Sequence, residues 1–314
     1  MVIKRMNNIL ISIIIPVYNS SSYLQETLNS ILKEELNQVE IICIDDGSVD
    51  NSLDILKSYE NKNYIKVIHQ NNQGASIARN NGLKIAVGDF IWFFDSDDLM
   101  IEGSINCIKE NIKYNKYDLF ITDFCSFENN IIHTKFKHSR KNLLFNKKDK
   151  LLFAYLRPPF PGNKIYKREI IINNDIEFAP VKIGQDLNFY LKYLCYASNI
   201  KYLKKETTKY RIVNGSISLS YDDRILSILD CFIDVEEYYN KHDIKDRDNI
   251  LNIVFYANLI YQLQKLKNIN DIKLKDTIFA IFQKEIYRLR GKIKKYSLYQ
   301  SFKIYYFDVL YRKL

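Results

Sequence analysis

The sequence has few of the residues that build disulfide-linked, zinc-bound or membrane-spanning proteins. Its five cysteines are odd in number and form no Cys-x-x-Cys pair, so they give no disulfide framework and suit a reducing compartment. The four histidines show no metal-site spacing. No apolar run approaches the roughly 18 residues of a membrane-spanning helix. We therefore expect a cytoplasmic globular protein with one large domain or a domain plus an appendage.

Glycine is missing from the turn where dinucleotide-binding folds require it. The first predicted strand, 11–17, continues into the turn 16–22, which contains no glycine, so a G-x-G-x-x-G phosphate cradle is absent. No Walker A lysine loop occurs either. A bound diphosphate would therefore depend on a metal ion or an arginine.

Apolar segments alternate with segments of helical spacing through the first hundred residues. Strands are predicted at 11–17, 39–44, 65–69 and 90–94, and helices at 22–32, 50–59 and 75–87. Strands that are apolar on both faces and alternate with helices indicate an α/β fold with a mostly parallel central sheet and helices on both faces. The chain from 221 to 314 is predicted to be a separate helical region.

Carboxylates follow two of these predicted strands directly. Asp45 and Asp46 follow the second strand, and Asp95, Asp97 and Asp98 follow the fourth. Both clusters are expected at the same edge of the sheet, where ligands bind in α/β proteins. Crowded carboxylates repel one another and lose hydration, and a bound Mg²⁺ or Mn²⁺ offsets both effects. For the Asp-x-Asp pattern alone, an ordinary acidic turn is an equal alternative.

Four motifs together resemble family 2 glycosyltransferases of the GT-A fold. They are Ile-Ile-Ile-Pro-Val-Tyr-Asn at 13–19, Ile-Asp-Asp-Gly-Ser at 44–48, Gly-Ala-Ser-Ile-Ala-Arg-Asn at 74–80 and Asp-Ser-Asp-Asp at 95–98. Their order and spacing agree over about residues 10–215. The resemblance implies a UDP-sugar donor, a divalent cation (Mn²⁺ or Mg²⁺) and inversion at the anomeric carbon. It also implies a catalytic domain at 1–220, with a nucleotide-binding half at 10–100 and an acceptor half at 101–220.

The resemblance implies a set of residues that bind the nucleotide sugar. They are Pro16, Val17, Tyr18, Asn19, Asp46, Arg79, Asp95, Ser96, Lys164 and Arg211. The first strand's end and the Asp46 carboxylate would hold the uracil base, although Tyr18 could instead pack against protein. Arg79 would lie near the donor phosphates, and a solvated helix arginine is the alternative. Arg211 would belong to a loop, 211–218, that closes over the diphosphate.

The resemblance also implies metal ligands and a catalytic base. Asp97 would bind the cation with help from Asp95, while Asp98 would cap the next segment. Asp186 would be the base, because it stands in a Gly-Gln-Asp sequence that resembles the family's Gly-Glu-Asp motif. An aspartate at a helix start is also a common cap. Gln185 replaces the usual glutamate, so a weakly active or inactive UDP-sugar-binding partner subunit is the alternative function.

The implied reaction is a hexosyl or N-acetylhexosaminyl transfer. The acceptor would be a glycan or lipid-linked glycan in the synthesis of a bacterial surface polysaccharide. Sugar nucleotidyltransferases share a related architecture, but they usually carry a glycine-rich loop near the amino terminus, and none is present here.

Positive charge is concentrated at the end of the chain. Residues 275–314 contain ten Lys or Arg and three Asp or Glu, a net charge of +7 out of +9 for the whole chain. Basic and aromatic residues interleaved on helices suit an anionic membrane surface, so we expect peripheral attachment to the inner face of a bacterial membrane. A helical cap, a homodimer contact and drift in composition are the alternatives. No nucleic-acid recognition motif appears.

Overall fold

The computed structural model describes residues 9–60, 64–113, 116–129, 131–136, 158–213, 222–244 and 248–293. These residues form two compact units. The first unit comprises the described parts of Met1–Leu143, Phe160–Pro180 and Tyr196–Val213. The second comprises those of Leu144–Pro159, Val181–Cys195 and Asn214–Leu314. A domain boundary near residue 220 stays a prediction.

One sheet of nine strands lies in the first unit. The strands are β1 (Ile11–Val17), β2 (Val39–Asp46), β3 (Ile65–Gln70), β4 (Phe90–Phe93), β5 (Leu99–Met100), β6 (Leu119–Glu128), β7 (Ile131–Phe136), β8 (Lys164–Lys167) and β9 (Ile200–Arg211). Their order is β3-β2-β1-β4-β8-β6-β9-β5, with β7 paired to β6. The helices of this unit are α1 (Leu24–Leu32), α2 (Ser52–Glu60), α3 (Ala75–Ile85), α4 (Ser104–Ile112) and α5 (Arg168–Asn173). The predicted α/β organisation is confirmed.

The strands β3, β2, β1 and β4 form the parallel half of the sheet. Every residue of β1 and β2 is buried, as expected for strands that are covered on both faces. Strand β2 is longer than predicted, because Asp45 and Asp46 continue its pairing. Asp45 lies opposite both Val17 of β1 and His69 of β3. The carboxyl ends of these strands therefore form one edge.

The other half of the sheet is mixed. Strand β8 runs antiparallel to β4 and β6, β9 runs parallel to β6, and β5 and β7 pair antiparallel with their neighbours. The residue patterns at 117–127 and 201–213 also predict strands, but they do not give the direction of the pairing.

Helix α3 packs closely on the parallel strands. A Cβ atom on Gly82 would come within 2.5 Å of Ile14 Cγ2 and 3.4 Å of Ile44 Cγ1, so the helix approaches the sheet at a distance that only glycine permits. This close contact fixes the helix that carries Arg79 relative to the sheet edge.

The second unit is helical where it is described. Its helices are α6 (Gln185–Leu194), α7 (Ser227–Lys241), α8 (Asp248–Lys265) and α9 (Ile272–Lys292). Asp234 of α7 accepts a hydrogen bond from Asn188 at 2.6 Å and pairs with Lys192 at 2.5 Å, which ties α7 to α6. Phe232 stacks on Phe255 at 4.0 Å between ring centroids, which joins α7 to α8. Within the described ranges, no helix has the length and hydropathy needed to cross a bilayer.

Candidate active site

The end of β1 presents one exposed aromatic ring beside a rigid turn. Pro16 and Val17 are paired within the sheet, whereas Tyr18 is 49% exposed. Asn19 has a positive φ of 48° and is held from both sides: its N–H donates to Ser48 Oγ, and its Oδ1 accepts from the Val49 N–H. The turn is therefore fixed while the Tyr18 side chain remains accessible.

Asp46 at the end of β2 organises the loop that leads into α3. Its carboxylate accepts hydrogen bonds from Gln70 Nε2 at 2.7 Å and from the backbone N–H groups of Gln73 and Gly74 at 2.8 Å. Only 2% of the residue is exposed. Asp46 therefore has a structural role, and its predicted contact with a base stays a proposal.

The acidic turn after β4 contains an ion pair with α3. Arg79 Nη2 donates to Asp95 Oδ1 at 2.7 Å, and both side chains are largely buried. The Arg79 guanidinium also lies over the Phe178 ring, 5.2 Å from its centroid. The solvated-arginine alternative is therefore wrong, because Arg79 is fixed beside the acidic turn.

Two carboxyls of this turn bind protons more tightly than usual. Burial and the neighbouring Asp95 carboxylate raise the pKa of Asp97 to about 6. Burial and the charges of Asp95 and Asp97 raise the pKa of Asp98 well above its usual range. Asp98 Oδ1 accepts the backbone N–H of Arg211 at 2.9 Å, which gives this residue a structural role.

Hydroxyl groups hold the same turn against the first strand–helix connection. Ser96 Oγ lies 2.7 Å from Ser20 Oγ, and the Ser96 carbonyl accepts from Thr27 Oγ1 at 2.9 Å. These contacts join the end of β1, helix α1 and the acidic turn into one edge.

Arg211, the last residue of β9, also contacts the acidic turn. Its Nε donates to the Asp97 carbonyl at 2.7 Å, and its Nη2 donates to Glu26 at 2.6 Å. The guanidinium lies over the Tyr23 and Phe127 rings, 4.9 and 4.6 Å from their centroids. The structure thus places Arg211 beside the predicted metal ligands. Residues 214–218 of the predicted closing loop lie outside the described residues.

Lys164 lies fully buried at the start of β8. Its Nζ donates to the Phe160 carbonyl at 2.8 Å and to Asn163 Oδ1 at 2.9 Å. These contacts fix the position of the lysine side chain, and its predicted role at the donor stays a proposal.

The acidic turn is chemically suited to a divalent cation. Asp95 and Asp97 repel each other strongly enough to help raise the pKa of Asp97, and a bound cation would relieve that repulsion. Among the described residues, no group of three or more His, Cys, Asp or Glu could hold a metal. A two-carboxylate site fits Mg²⁺ or Mn²⁺, which bind through one or two carboxylates plus substrate phosphates.

In the second unit, Asp186 stands in the first turn of α6. The turn before it depends on Gly184, which has a φ of +91° and whose added Cβ would come within 2.9 Å of Ile228 Cδ1. Gln185 Nε2 donates to the Val181 carbonyl at 2.8 Å. The uncharged Gln185 side chain therefore holds the turn before Asp186 through this hydrogen bond. Glutamine in place of the family's glutamate is therefore compatible with this turn.

Sequence reasoning missed the side chains that hold the site from a distance. Glu26 and Tyr23 of the α1 region meet Arg211, and Asn80 meets Phe178. Asn80 is the last residue of the motif at 74–80, and the sequence alone indicates no role for it. These pairs are separated by about a hundred residues or more, and no local periodicity reports such contacts.

Known proteins match this chain over most of its length. Residues 12–174 match the model of the family described as Glycosyl transferase family 2. The chain is 31% identical to the glycosyltransferase GlyG of Streptococcus pneumoniae over 229 residues, which cover 66% of this chain and 72% of that protein.

Two solved structures are similar in fold. TarS of Staphylococcus aureus, in complex with UDP-GlcNAc, superposes with a TM-score of 0.60 at 22% identity and covers 89% of each chain. The mannosyltransferase PcManGT of Pyrobaculum calidifontis, in complex with GDP-Man and Mn²⁺, superposes with a TM-score of 0.55 at 13% identity. That alignment covers 97% of this chain and 88% of the mannosyltransferase.

Proposed function

This chain belongs to glycosyl transferase family 2 and has the GT-A fold, and on that premise we propose that its donor is a UDP-sugar. The reaction is an inverting hexosyl or N-acetylhexosaminyl transfer to a glycan or lipid-linked glycan of a bacterial surface polysaccharide. The observation that carries the proposal is the Arg79–Asp95–Asp97 arrangement at the carboxyl edge of the parallel strands.

The donor would lie along this edge with its base toward β1 and β2. The exposed Tyr18 ring offers an apolar wall, and Pro16, Val17 and Asn19 supply a fixed backbone beside it. Asp46 accepts the uracil N–H in this proposal, in addition to its bonds to the α3 loop. A UDP-GlcNAc complex of the structural neighbour TarS supports a uridine donor.

The diphosphate would lie toward the acidic turn. Arg79 supplies positive charge there, Asp95 and Ser96 contact the ribose, and Arg211 and Lys164 complete the donor-binding set. A cation held by Asp97 and Asp95, Mn²⁺ or Mg²⁺, would offset the negative charge that UDP gains as it leaves. The Mn²⁺ complex of the structural neighbour PcManGT supports this cofactor.

Asp186 is the proposed base that takes the proton of the acceptor hydroxyl. Asp186 lies at the start of α6, and the hydrogen bond from Gln185 to Val181 holds the preceding turn. Both features support this role, because a base needs a fixed position. The same bond favours an active enzyme over an inactive binding partner, since the glutamine serves the geometry of the turn.

A panel of UDP-sugars tests the function. We expect the purified protein to release UDP from one or two members of the panel in the presence of Mn²⁺, and release should stop with EDTA. GDP-mannose serves as the matched non-uridine control and should give no release. Binding of UDP without release from any member would instead identify the inactive partner subunit.

Helix α9 carries the proposed membrane contact on the inner face of a bacterial membrane. Ile272, Phe279 and Tyr287 are 74%, 44% and 83% exposed, and they recur at intervals of seven and eight residues, which places them along one flank with Arg290. Apolar and basic side chains on one exposed flank suit anionic lipid headgroups. Residues 294–314 of the basic segment lie outside the described residues.

Replacing this flank tests the membrane contact. We expect a variant with Phe279→Ser, Tyr287→Ser and Arg290→Gln to bind phosphatidylglycerol vesicles about 10-fold more weakly, because it loses apolar area and one charge. The control is Ile233→Ser, which removes an exposed apolar side chain from α7. If the α9 variant binds the vesicles as strongly as the unmodified protein in a flotation assay, the segment instead forms a homodimer contact or a helical cap.

A further inference from the structure

A buried segment without regular structure follows α5 in the first unit. Ile176, Phe178 and Ala179 are all buried, although residues 176–180 belong to no helix or strand. Buried backbone groups need hydrogen-bond partners, and a segment outside helices and sheets has to find them on other elements. For Phe178 and Ala179, helix α3 supplies such partners.

Two side chains of α3 hold this backbone. Asn80 Nδ2 donates to the Phe178 carbonyl at 2.9 Å, and Asn80 Oδ1 accepts the Phe178 N–H at 2.9 Å. Ser76 Oγ donates to the Ala179 carbonyl at 2.8 Å. Ser76 and Asn80 are four residues apart and therefore share one face of the helix. One amide thus satisfies both backbone groups of Phe178, as a neighbouring strand would.

The aromatic ring of Phe178 is held as well as its backbone. It packs edge-on against Phe93 of β4, with ring centroids 4.9 Å apart and an angle of 87° between the ring planes. Edge-to-face packing is a preferred arrangement of aromatic pairs. The bonds from Asn80 and the contact with Phe93 therefore fix the position of the ring.

This fixed ring contacts the arginine of the acidic turn. The Arg79 guanidinium lies over the Phe178 ring, 5.2 Å from its centroid, and its Nη2 donates to Asp95 at 2.7 Å. Only 7% of the Arg79 side chain is exposed, and a cation–π contact is stronger when water is excluded from it. An arginine side chain has many rotamers, and a fixed ring together with a paired carboxylate leaves few of them.

We propose that Asn80 and Phe178 are positioning residues that hold Arg79 for the donor diphosphate. Asn80 fixes the backbone of Phe178, and the Phe178 ring limits the positions of the guanidinium. The inference rests on the proposed function, in which Arg79 supplies positive charge to the diphosphate. All three residues belong to the first unit. A guanidinium that is already in place loses less entropy when a phosphate binds, so the anchor should strengthen phosphate contacts and leave base contacts unchanged.

Calorimetric titrations with UDP and with uridine, both at saturating Mn²⁺, separate these two kinds of contact. Uridine carries the base and the ribose but no phosphate. We expect Asn80→Ala and Phe178→Leu each to weaken UDP binding about 3- to 10-fold and uridine binding less than about 2-fold. Asn111→Ala is the control and should change neither Kd, because its amide donates within α4, to the Cys107 carbonyl.

A double-mutant cycle shows whether the anchor acts through the arginine. Arg79→Gln alone should weaken UDP binding about 10-fold or more, because it removes the charge beside the diphosphate. Adding Asn80→Ala to Arg79→Gln should weaken UDP binding less than about 2-fold further, since no guanidinium is left to position. A general loss of packing would instead weaken UDP and uridine alike in both backgrounds, and that result would overturn the inference.

The failure of the proposed function and the failure of the anchor give different results. If Arg79→Gln binds UDP as tightly as the unmodified protein, the role of Arg79 at the diphosphate is wrong, and the inference fails with it. If Arg79→Gln weakens UDP binding but Asn80→Ala and Phe178→Leu do not, the anchor alone is wrong. Should Asn80→Ala fail to fold, Phe178→Leu and Ser76→Ala make the same comparison, because Ser76→Ala removes a single hydroxyl from the anchor.

Discussion

Asp97→Asn is expected to reduce metal-dependent sugar transfer by about 100- to 10,000-fold. The substitution preserves the size of the side chain but removes the carboxylate that would bind the cation. Asp95 alone, which already pairs with Arg79, would leave the donor diphosphate poorly neutralised. The measurement is initial-rate transfer at saturating Mn²⁺, repeated across a range of Mn²⁺ concentrations, since a weakened site should also require more metal.

The same substitution is expected to stabilise the metal-free protein. The folded-state pKa of Asp97 is raised to about 6 from an ordinary 3.8, so ionisation destabilises the folded protein as pH rises through this window. Above pH 6 the penalty is fully present, and Asp97→Asn removes it. We expect a gain on the order of 1–3 kcal/mol in the free energy of unfolding at pH 7.5, and no gain below pH 4.

Asp89→Asn is the matched control for both readouts. Asp89 is an exposed aspartate just before the opposite end of β4, so its substitution changes the net charge equally without touching the acidic turn. Thermal unfolding in EDTA at pH 7.5 and pH 4 gives the stability comparison. A fully active Asp97→Asn enzyme would remove Asp97 from the metal site.

Asp186→Asn is expected to reduce transfer by about 100- to 10,000-fold while UDP binding and folding remain intact. The amide keeps the shape of the side chain but cannot take the proton of the acceptor hydroxyl. UDP affinity should stay near that of the unmodified enzyme, which distinguishes a lost base from a lost donor site. Asp230→Asn in α7 removes an exposed carboxylate of the same unit and should retain activity.

Near-full transfer by the Asp186→Asn enzyme would show that another group takes the proton. Gln185→Glu offers a second comparison at the same turn. Because Gln185 braces the turn through its amide donor to Val181, we expect the glutamate variant to gain no activity. A large gain would mean that a negative charge at this position assists the reaction.

Most of the parallel half of the fold can be predicted from the sequence because strands β1, β2 and β4 are mostly apolar. Strands β1, β2 and β4 follow directly from burial on both faces, and their carboxylates reach one edge because parallel strands end together. The pairing in the mixed half could not be predicted from the sequence, since β8 and β9 contain polar positions and join partners far away in the chain.

The sequence predicts a set of residues for the candidate site, but not the contacts between them. The motif predicts Arg79 near the donor phosphates, and the structure shows its pairing with Asp95 and its position over the Phe178 ring. The resemblance predicts Arg211 in the loop 211–218 that closes over the diphosphate, whereas its guanidinium donates hydrogen bonds to Glu26 and to the Asp97 carbonyl. Such contacts depend on tertiary packing, which leaves no signature in local sequence.

The central claim is that the acidic turn binds the donor diphosphate through a cation held by Asp97. Calorimetric titration of UDP into the unmodified protein and into Asp97→Asn, each with Mn²⁺ and with EDTA, tests it most directly. The predicted result is that Mn²⁺ strengthens UDP binding about 10-fold or more in the unmodified protein and has little effect in the variant. Equal UDP affinity with Mn²⁺ and with EDTA in the unmodified protein would contradict the claim.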